Sequence, residues 1–246
     1  MNTTTGQSDC VLETTGLTKR FGGVSAIDSV SFKIQRGELR CLIGPNGAGK
    51  STFFKMLTAQ HRPTAGNIVL NGVDITGWEP HAVSRAGLGI KNQVPDVFDN
   101  LTARENIWLA ASYFGKAARP DRVVDETMER LGIAGLARKR VGELAHGQRQ
   151  WVELAMVVSR DPVLILLDEP TAGMTEDETA RTAELILEMN KSRSIIVVEH
   201  DMQFIRKIAK TVTVFHQGKI LAEDTMANIQ NNEMVRDVYL GRSAAA

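Results

Sequence analysis

The sequence predicts an α/β fold that is organised around a phosphate-binding loop. Residues 44–52 (GPNGAGKST) match G-x-x-x-x-G-K-[ST], the pattern of a glycine-rich loop that cradles phosphate groups. Residues 38–43 indicate a strand that enters this loop, and residues 51–58 indicate a helix that leaves it. The continuous apolar runs at 163–167 and 194–198 are typical of parallel strands that are covered on both faces.

The loop is suited to a nucleotide. Backbone N–H groups from Gly47 to Ser51 can point at one anion, and the N-terminus of the following helix adds partial positive charge. Lys50 can reach the β- and γ-phosphates, and the Ser51 hydroxyl can hold Mg²⁺. The alternative is a glycine-rich turn before a helix, but the flanking strand and helix favour nucleotide binding. The residues expected to contact the nucleotide are Gly44, Asn46, Gly47, Ala48, Gly49, Lys50, Ser51 and Thr52.

Composition limits the class of protein. The 246 residues are 43% hydrophobic and 24% charged, as in an ordinary soluble domain. The formal net charge of zero argues against a nucleic-acid partner. The chain lacks an apolar run near the ~18–20 residues that span a bilayer, and its start lacks the pattern of a signal peptide. Cys10 and Cys41 have no paired or metal-type spacing. We expect a cytoplasmic protein that acts at a membrane only by docking to one.

Strands and hairpins are predicted at both ends of the chain. Residues 11–18 and 29–34 have strand patterns, and residues 67–75 indicate a hairpin that turns at Asn71-Gly72. A second hairpin is expected at 211–224, with Gln217-Gly218 at its turn. Phe21 stands before two glycines and can stack on a base, although its position alone favours burial at a strand end.

The middle of the chain is predicted to be helical. Residues 105–113 and 123–131 are amphipathic, and Gly147 opens a helix whose apolar stripe is Trp151, Leu154, Ala155 and Val158. The N-terminus of that helix is a second candidate anion site, although an ordinary helix start is the simpler interpretation. Before these helices, a short strand at 87–93 ends in Gln93, which taken alone is an ordinary surface residue.

Carboxylates and a histidine follow the buried strands directly. Asp168 and Glu169 end the run at 163–167, and His200 follows the run at 194–198. Ligands of open α/β sheets bind at the carboxyl ends of the strands. Asp168 therefore fits a partner of Mg²⁺, and Glu169 fits a group that orients or deprotonates a water. The alternative is a structural ion pair.

Together these motifs resemble the ATP-binding-cassette (ABC) ATPases, the ATPase subunits of ABC transporters. The motifs occur in the family's order and at similar spacing: the phosphate loop, Gln93 with Pro95, LAHGQ at 144–148, LILLDEP at 164–170, and His200. The resemblance covers residues 11–242. It implies a P-loop NTPase core with an N-terminal antiparallel β subdomain and a helical subdomain inserted at about 95–159, in one domain between tails at 1–10 and 243–246.

The resemblance implies roles for single residues. Phe21 is expected to stack on adenine. Gln93 is expected to sense the γ-phosphate and Mg²⁺ and to couple to the transmembrane partner. Glu169 is expected to be the general base and His200 the switch histidine, and Lys50 and Gln93 complete the expected catalytic set.

The same resemblance implies a shared site and several partners. ATP lies between two subunits in this family, and the contacts from the opposite subunit are expected from Ala145, His146, Gly147 and Gln148. The expected Mg²⁺ ligands are Ser51, Gln93 and Asp168. The expected partners are transmembrane permease subunits and a second ATPase subunit, a paralogue in the native complex, with a homodimer possible in isolation.

The chain departs from the family pattern in two stretches. The usual LSGGQ reads LAHGQ, so Ala145 lacks a hydroxyl that would donate to the γ-phosphate, and His146 is the candidate to compensate. In place of the usual SALD, residues 171–175 read TAGMT: Thr171, Ala172, Gly173, Met174 and Thr175. Thr175 therefore replaces an aspartate that links the two sites.

Those departures, with residues 238–242 (VYLGR), resemble the ATPase subunits of urea-type importers, relatives of the branched-chain amino acid importers. We therefore expect an ATPase that energises uptake of urea or a related amide and is peripheral on the inner face of the membrane. The alternatives are a branched-chain amino acid importer and a soluble ABC ATPase of the iron–sulfur cluster assembly type. A regulatory cassette that barely hydrolyses ATP is disfavoured by the intact Lys50, Asp168, Glu169 and His200.

Overall fold

The computed structural model describes residues 9–114 and 119–240, so most of the expected tails at 1–10 and 243–246 lies outside the described residues. The strands are β1 (Cys10–Phe21), β2 (Val24–Gln35), β3 (Leu39–Ile43), β4 (Ala65–Leu70), β5 (Val73–Asp74), β6 (Leu88–Lys91), β7 (Leu164–Asp168), β8 (Ser194–Val198), β9 (Thr211–His216) and β10 (Lys219–Thr225). The helices are α1 (Lys50–Leu57), α2 (Pro80–Arg85), α3 (Ala103–Phe114), α4 (Pro120–Arg130), α5 (His146–Ser159), α6 (Glu176–Asn190), α7 (Met202–Ile208), α8 (Met226–Asn231) and α9 (Glu233–Leu240).

A six-stranded sheet in the order β10-β9-β3-β8-β7-β6 forms the core. The pairs β9-β3, β3-β8, β8-β7 and β7-β6 are parallel, and β10 pairs antiparallel with β9. This is the sheet that the continuous apolar runs predict. In its register Leu42 and Asp168 both pair with Val198, so β3, β7 and β8 end at the same edge.

A second sheet is antiparallel, in the order β2-β1-β4-β5. Its β4-β5 hairpin turns at Asn71 and Gly72, with φ of +48° and +81°. Gln217 and Gly218 join β9 to β10 with φ of +46° and +76°. Positive φ at both central residues is the turn that suits the twist of a hairpin, so both predicted hairpins are confirmed. The first strand starts at Cys10 rather than at the predicted residue 11 and runs on to Phe21.

Both faces of the core sheet are covered. Cys41 and Ile43 point into one apolar cluster with α3 to α7, whereas Leu42 points into the other with α1 and the antiparallel sheet. The same alternation occurs in β7 and β8, because successive side chains of a strand point to opposite faces. The three layers are the helices, the six-stranded sheet and the antiparallel sheet. They leave the carboxyl edge of the six-stranded sheet free for a site.

The segment at 95–159 contains α3, α4 and α5 and short 3-10 turns at Ala134–Leu136 and Val141–Glu143. The predicted stripe of α5 faces the core: Leu154, Ala155 and Val158 are buried. The Trp151 indole is partly buried and donates a 2.9 Å hydrogen bond to the Thr182 hydroxyl, which ties α5 to α6. The helical insertion is therefore packed directly against the core.

A buried ion pair also joins the insertion to the core. Lys91 at the end of β6 is fully buried, and its Nζ lies 3.6 Å from Oε2 of Glu153 on α5. Burial lowers the pKa of Lys91 and raises that of Glu153 to about 6, and each charge opposes the shift of the other. Because a buried charge without its partner is costly, this pair holds α5 to the strand that leads to Gln93.

Thr175 caps helix α6 and generates a stability prediction. Its hydroxyl accepts from the Glu178 N–H at 3.3 Å, and the Glu178 carboxylate accepts from the Thr175 N–H at 3.0 Å, which makes a capping box. We expect Thr175→Ala to lower the free energy of unfolding by about 1 kcal/mol, whereas Thr175→Asp keeps the cap and stays near wild type. Urea unfolding measures both variants, and equal stability of Thr175→Ala and wild type would contradict the cap.

Candidate functional site

The phosphate loop lines a small cavity at the carboxyl edge of the core sheet. The cavity has a volume of about 170 Å³, and Glu169 and Val198 also line it. Of the residues expected to contact the nucleotide, all but Gly44 line it: Asn46, Gly47, Ala48, Gly49, Lys50, Ser51 and Thr52. The cavity is thus shaped by backbone and by the start of α1, as an anion site at a helix N-terminus requires.

Glycines are needed at two points of the loop. A Cβ on Gly44 would lie 2.3 Å from the Phe215 carbonyl oxygen, and one on Gly49 would lie 2.7 Å from the Ala26 carbonyl oxygen. Both residues have positive φ, +149° and +103°. Only glycine adopts this backbone without strain and lets β2 and β9 approach the phosphate loop so closely.

Lys50 folds back over the loop. Its Nζ donates to the Gly44 carbonyl oxygen at 2.6 Å and to the Pro45 carbonyl oxygen at 3.1 Å. Partial burial lowers the pKa of Lys50, and the charges of Glu169 and Asp168 oppose that shift. The ammonium group therefore lies between the loop backbone and the acidic side of the cavity.

Glu169 is the centre of the acidic side, and the structure brings Gln93 and His200 to it. Gln93 Nε2 donates to Glu169 Oε2 at 2.9 Å, and His200 Nδ1 lies 3.5 Å from Glu169 Oε1. Glu169 has φ of +44°, an unusual conformation for a residue with a side chain, and its N–H donates to the Val198 carbonyl oxygen at 2.9 Å. The carboxylate is thus aimed by a constrained turn and contacted on both oxygens.

Asp168 ends β7 beside Glu169. It is half-buried, and burial and then the charge of Glu169 raise its pKa. Its carboxylate is a hard oxygen donor of the kind that Mg²⁺ prefers, as are the Ser51 hydroxyl and the Gln93 amide oxygen. Within residues 9–114 and 119–240, no group of three or more His, Cys, Asp or Glu can hold a metal by itself. A magnesium ion at this site would therefore draw further ligands from the nucleotide and water.

Phe21 differs from the expectation drawn from its position. It is not buried at the strand end: 46% of its surface is exposed. Its ring makes an edge contact with His61 at 5.3 Å between centroids, and Lys19 Nζ lies 5.0 Å from the ring centroid. It does not line the phosphate cavity, so stacking on adenine stays a prediction.

The residues at 145–148 lie at the start of α5, away from the cavity that the phosphate loop lines. Ala145 is the N-cap of the helix and supplies no side-chain cap. Gly147 packs against Glu178, where a Cβ would lie 2.5 Å from the carboxylate carbon. Within one subunit this segment faces α6 and not the subunit's own phosphate loop.

The two stretches that depart from the family pattern contact each other. His146 Nε2 lies 3.0 Å from the Ala172 carbonyl oxygen and 3.2 Å from Gln150 Nε2. The sequence did not predict this contact, because residues 146 and 172 belong to separate motifs. It engages one nitrogen of His146 within its own subunit, which limits the compensation expected for Ala145.

A buried carboxylate beside the site was also missed by the sequence interpretation. Glu199 directly precedes His200 and has 1% of its surface exposed. The only signal in the sequence was its place at the carboxyl end of β8. Asp168 and Glu169 occupy the corresponding place at the carboxyl end of β7.

The chain is similar to known proteins along most of its length. The model of the family described as "ABC transporter" matches residues 27–172. The chain is 34% identical over 251 residues to the high-affinity branched-chain amino acid transport ATP-binding protein BraF of Pseudomonas aeruginosa, covering 95% of this chain and 98% of that protein. It is 33% identical over 254 residues to the corresponding protein LivG of Salmonella typhimurium, covering 96% of this chain and 100% of that protein.

Solved structures share the fold. The ADP conformation of MJ1267, an ATP-binding cassette of an ABC transporter, matches with a TM-score of 0.85 and 26% identity over 95% of this chain and 100% of that one. The cbiO1 subunit from Clostridium perfringens matches with a TM-score of 0.83 and 26% identity over 95% and 96% of the two chains. The chain therefore belongs to the ABC transporter family and is an ATP-binding subunit that hydrolyses ATP.

Proposed function

We propose that this subunit energises an importer of branched-chain amino acids by hydrolysing ATP between two cassettes. The observation that supports branched-chain amino acids as the transported substrate is the similarity to proteins named for that transport. The identity is 34% and 33% over 95% and 96% of this chain. The similarity runs through the helical insertion as well as the nucleotide site, so it includes the parts of the subunit that face other proteins.

Urea or a related small amide is the second candidate cargo. It is supported by the short stretches LAHGQRQW at 144–151 and DEPTAGMT at 168–175, which resemble the urea-type group. Because the permease and its binding protein select the cargo, the ATPase residues bear on it indirectly. A transporter reconstituted from the native permeases separates the candidates: its ATP turnover rises with leucine in the first case and with urea in the second.

Glu169 is the general base of the hydrolysis. Its carboxylate takes a proton from the water that attacks the γ-phosphoryl group, and Gln93 holds one of its oxygens by a 2.9 Å hydrogen bond. His200 lies against the other oxygen and is exposed enough to reach a phosphate. Lys50 exchanges its two carbonyl partners for phosphate oxygens and stabilises charge on the transferring group.

Ser51, Gln93 and Asp168 are the residues that would hold a magnesium ion with ATP. The ion would supply positive charge that neutralises the phosphates. Gln93 uses its amide nitrogen toward Glu169, which leaves its amide oxygen for the ion. Burial and the charge of Glu169 disfavour the ionised form of Asp168, and a cation beside the two carboxylates would favour it.

A second subunit supplies the other wall of the nucleotide site. The phosphate cavity is open on one side, and the segment Ala145 to Gln148 of the same subunit does not reach it. In the closed dimer this segment contacts the γ-phosphate of the ATP held by the opposite phosphate loop. The partner is a paralogous ATPase in the native complex or a second copy of this chain.

The permease docks on an apolar groove beside Gln93. The groove has a volume of about 400 Å³ and lies between the end of β6 and helices α3 and α5; its lining includes Ile90, Phe98, Leu109, Tyr113 and Met156. Phe98 and Tyr113 are 57% and 74% exposed. Glu153 of the buried pair with Lys91 also lines it, so a helix that docks there touches the joint between core and insertion.

The subunit acts on the inner face of the cell membrane. No helix in the described parts of the chain, 9–114 and 119–240, is long and apolar enough to cross a bilayer. The exposed groove is the surface through which the permease holds the subunit at that face.

Replacement of the base separates binding from hydrolysis. We expect Glu169→Gln to bind ATP, to stabilise the closed dimer and to hydrolyse ATP at least about a hundredfold more slowly, because the amide cannot take the proton. Steady-state turnover and size-exclusion chromatography with ATP measure the two effects. Glu176→Gln, at an exposed position on α6, is the matched control. Unchanged turnover of Glu169→Gln would remove Glu169 from the base role.

The hydroxyl that Ala145 lacks can be restored. We expect Ala145→Ser to raise ATP affinity or turnover by about tenfold, because a hydrogen bond to a charged phosphate is worth ~1.5–3 kcal/mol. Ala134→Ser, an exposed alanine of the same insertion, controls for the added hydroxyl. If neither affinity nor turnover changes, His146 or the backbone already provides the contact.

Purification from native membranes tests the permease and the groove together. We expect wild-type protein to co-purify with permease subunits and Phe98→Glu to lose them, because the change replaces an exposed apolar side chain of the groove by a charge that docking must desolvate. Leu187→Glu, on the exposed face of α6, is expected to retain them. Recovery of wild-type protein with soluble assembly factors and without a permease would favour the iron–sulfur type of ATPase instead.

A further inference from the structure

A buried carboxylate joins the two segments that carry Glu169 and His200. Glu199 is 1% exposed and lies between the turn after β7 and the turn after β8. Its only ion-pair contact within the described residues is His200 Nδ1, 3.7 Å from Oε2. A buried carboxylate without a cation is tolerated when hydrogen-bond donors surround it, so the donors around Glu199 decide what it does.

Both oxygens of Glu199 accept hydrogen bonds, each from a different segment. Oε2 accepts from the backbone N–H groups of His200 at 2.8 Å and Asp201 at 3.2 Å. Oε1 accepts a short hydrogen bond from the Thr171 hydroxyl and a 3.4 Å hydrogen bond from the Thr171 N–H. One side chain thus bridges the turn after β7 to the turn after β8.

Each of these segments holds a group of the hydrolytic site. Thr171 stands two residues after Glu169, whose carbonyl oxygen accepts from the Ala172 N–H at 3.2 Å, so the turn is one compact unit. Glu169 has a strained φ of +44°, and a strained residue persists only when its surroundings fix it. Bonds from Glu199 to Thr171 and to the His200 N–H therefore fix both ends of the 3.5 Å contact between Glu169 and His200.

We propose that Glu199 is a positioning residue that makes the turn of the base and the turn of the switch histidine move as one unit. This inference rests on the proposed base role of Glu169. When the two cassettes close on ATP, a rigid link keeps the Glu169 carboxylate at its place beside His200. Without the link, the two turns shift independently, and a displacement on the order of 1 Å can cost about a hundredfold in rate.

The variants are chosen to weaken the link at either end. In Glu199→Gln the amide oxygen can still accept from His200 and Asp201, and the amide nitrogen can donate to the Thr171 hydroxyl oxygen. The amide nitrogen cannot accept from the Thr171 N–H, so the link loses that hydrogen bond and its charge. Thr171→Val keeps the shape of Thr171 and removes the hydroxyl donor, whereas Thr171→Ser keeps the donor. The readouts are kcat, KM for ATP and the melting temperature.

We expect Glu199→Gln and Thr171→Val each to lower kcat by about tenfold with KM for ATP nearly unchanged, because the phosphate loop is intact. Thr171→Ser is expected to retain wild-type kcat. A merely structural role lowers the melting temperature of all three variants without this split between kcat and KM. If Glu199→Gln fails to fold, the comparison of Thr171→Val with Thr171→Ser still decides the question.

A double variant separates this inference from the base role. If Glu199 acts through Glu169, Glu199→Gln causes no further loss of turnover in the Glu169→Gln background, because effects of residues that act as one unit are not additive. An additional tenfold loss there, or wild-type kcat in Glu199→Gln alone, would overturn the positioning role while Glu169 remained the base. Wild-type turnover of Glu169→Gln would instead overturn the proposed function.

Discussion

The parallel register of β3, β7 and β8 is the constraint on which the site depends. Leu42 of β3 and Asp168 of β7 both pair with Val198 of β8, so these strands end side by side. The residues that come next are the phosphate loop, Glu169 and Glu199 with His200. Groups that are more than a hundred residues apart in the chain thus meet at one edge, and the alternating apolar side chains on both sheet faces keep the edge in place.

This edge concentrates charge, and hydrogen bonds hold it together. Asp168, Glu169 and Glu199 lie close enough that Glu169 and Glu199 both help to raise the pKa of Asp168. Gln93 donates to Glu169, and backbone N–H groups donate to Glu199, so hydrogen bonds hold both carboxylates in place. Lys50 is the cation of the loop, and its present partners are backbone carbonyls that a phosphate can replace.

The sequence predicted the parts of the fold that depend on local pattern. The apolar runs gave β7 and β8, and the Asn71-Gly72 and Gln217-Gly218 turns gave both hairpins. Helical periodicity gave α3, α4 and α5. The strand expected at 87–93 is shorter: β6 ends at Lys91, and Gln93 lies beyond the sheet. This difference matters, because a residue outside the ladder is free to turn toward Glu169.

Contacts between distant side chains could not be predicted. The His146 contact with Ala172, the buried pair of Lys91 with Glu153 and the bridge from Glu199 to Thr171 each join residues from separate motifs. Nothing in the spacing of such residues indicates burial or partner. Phe21 shows the reverse limit: its apolar ring favoured burial, but the β1-β2 turn leaves it exposed beside His61.

The central claim is that one subunit holds half of a site and a second subunit completes it. The most direct measurement is a crystal structure of Glu169→Gln with MgATP. We expect a dimer in which Lys50 has left the carbonyls of Gly44 and Pro45 for the phosphates, and residues 145–148 of the other subunit contact the γ-phosphate. A monomer whose own residues enclose the whole nucleotide would contradict the account.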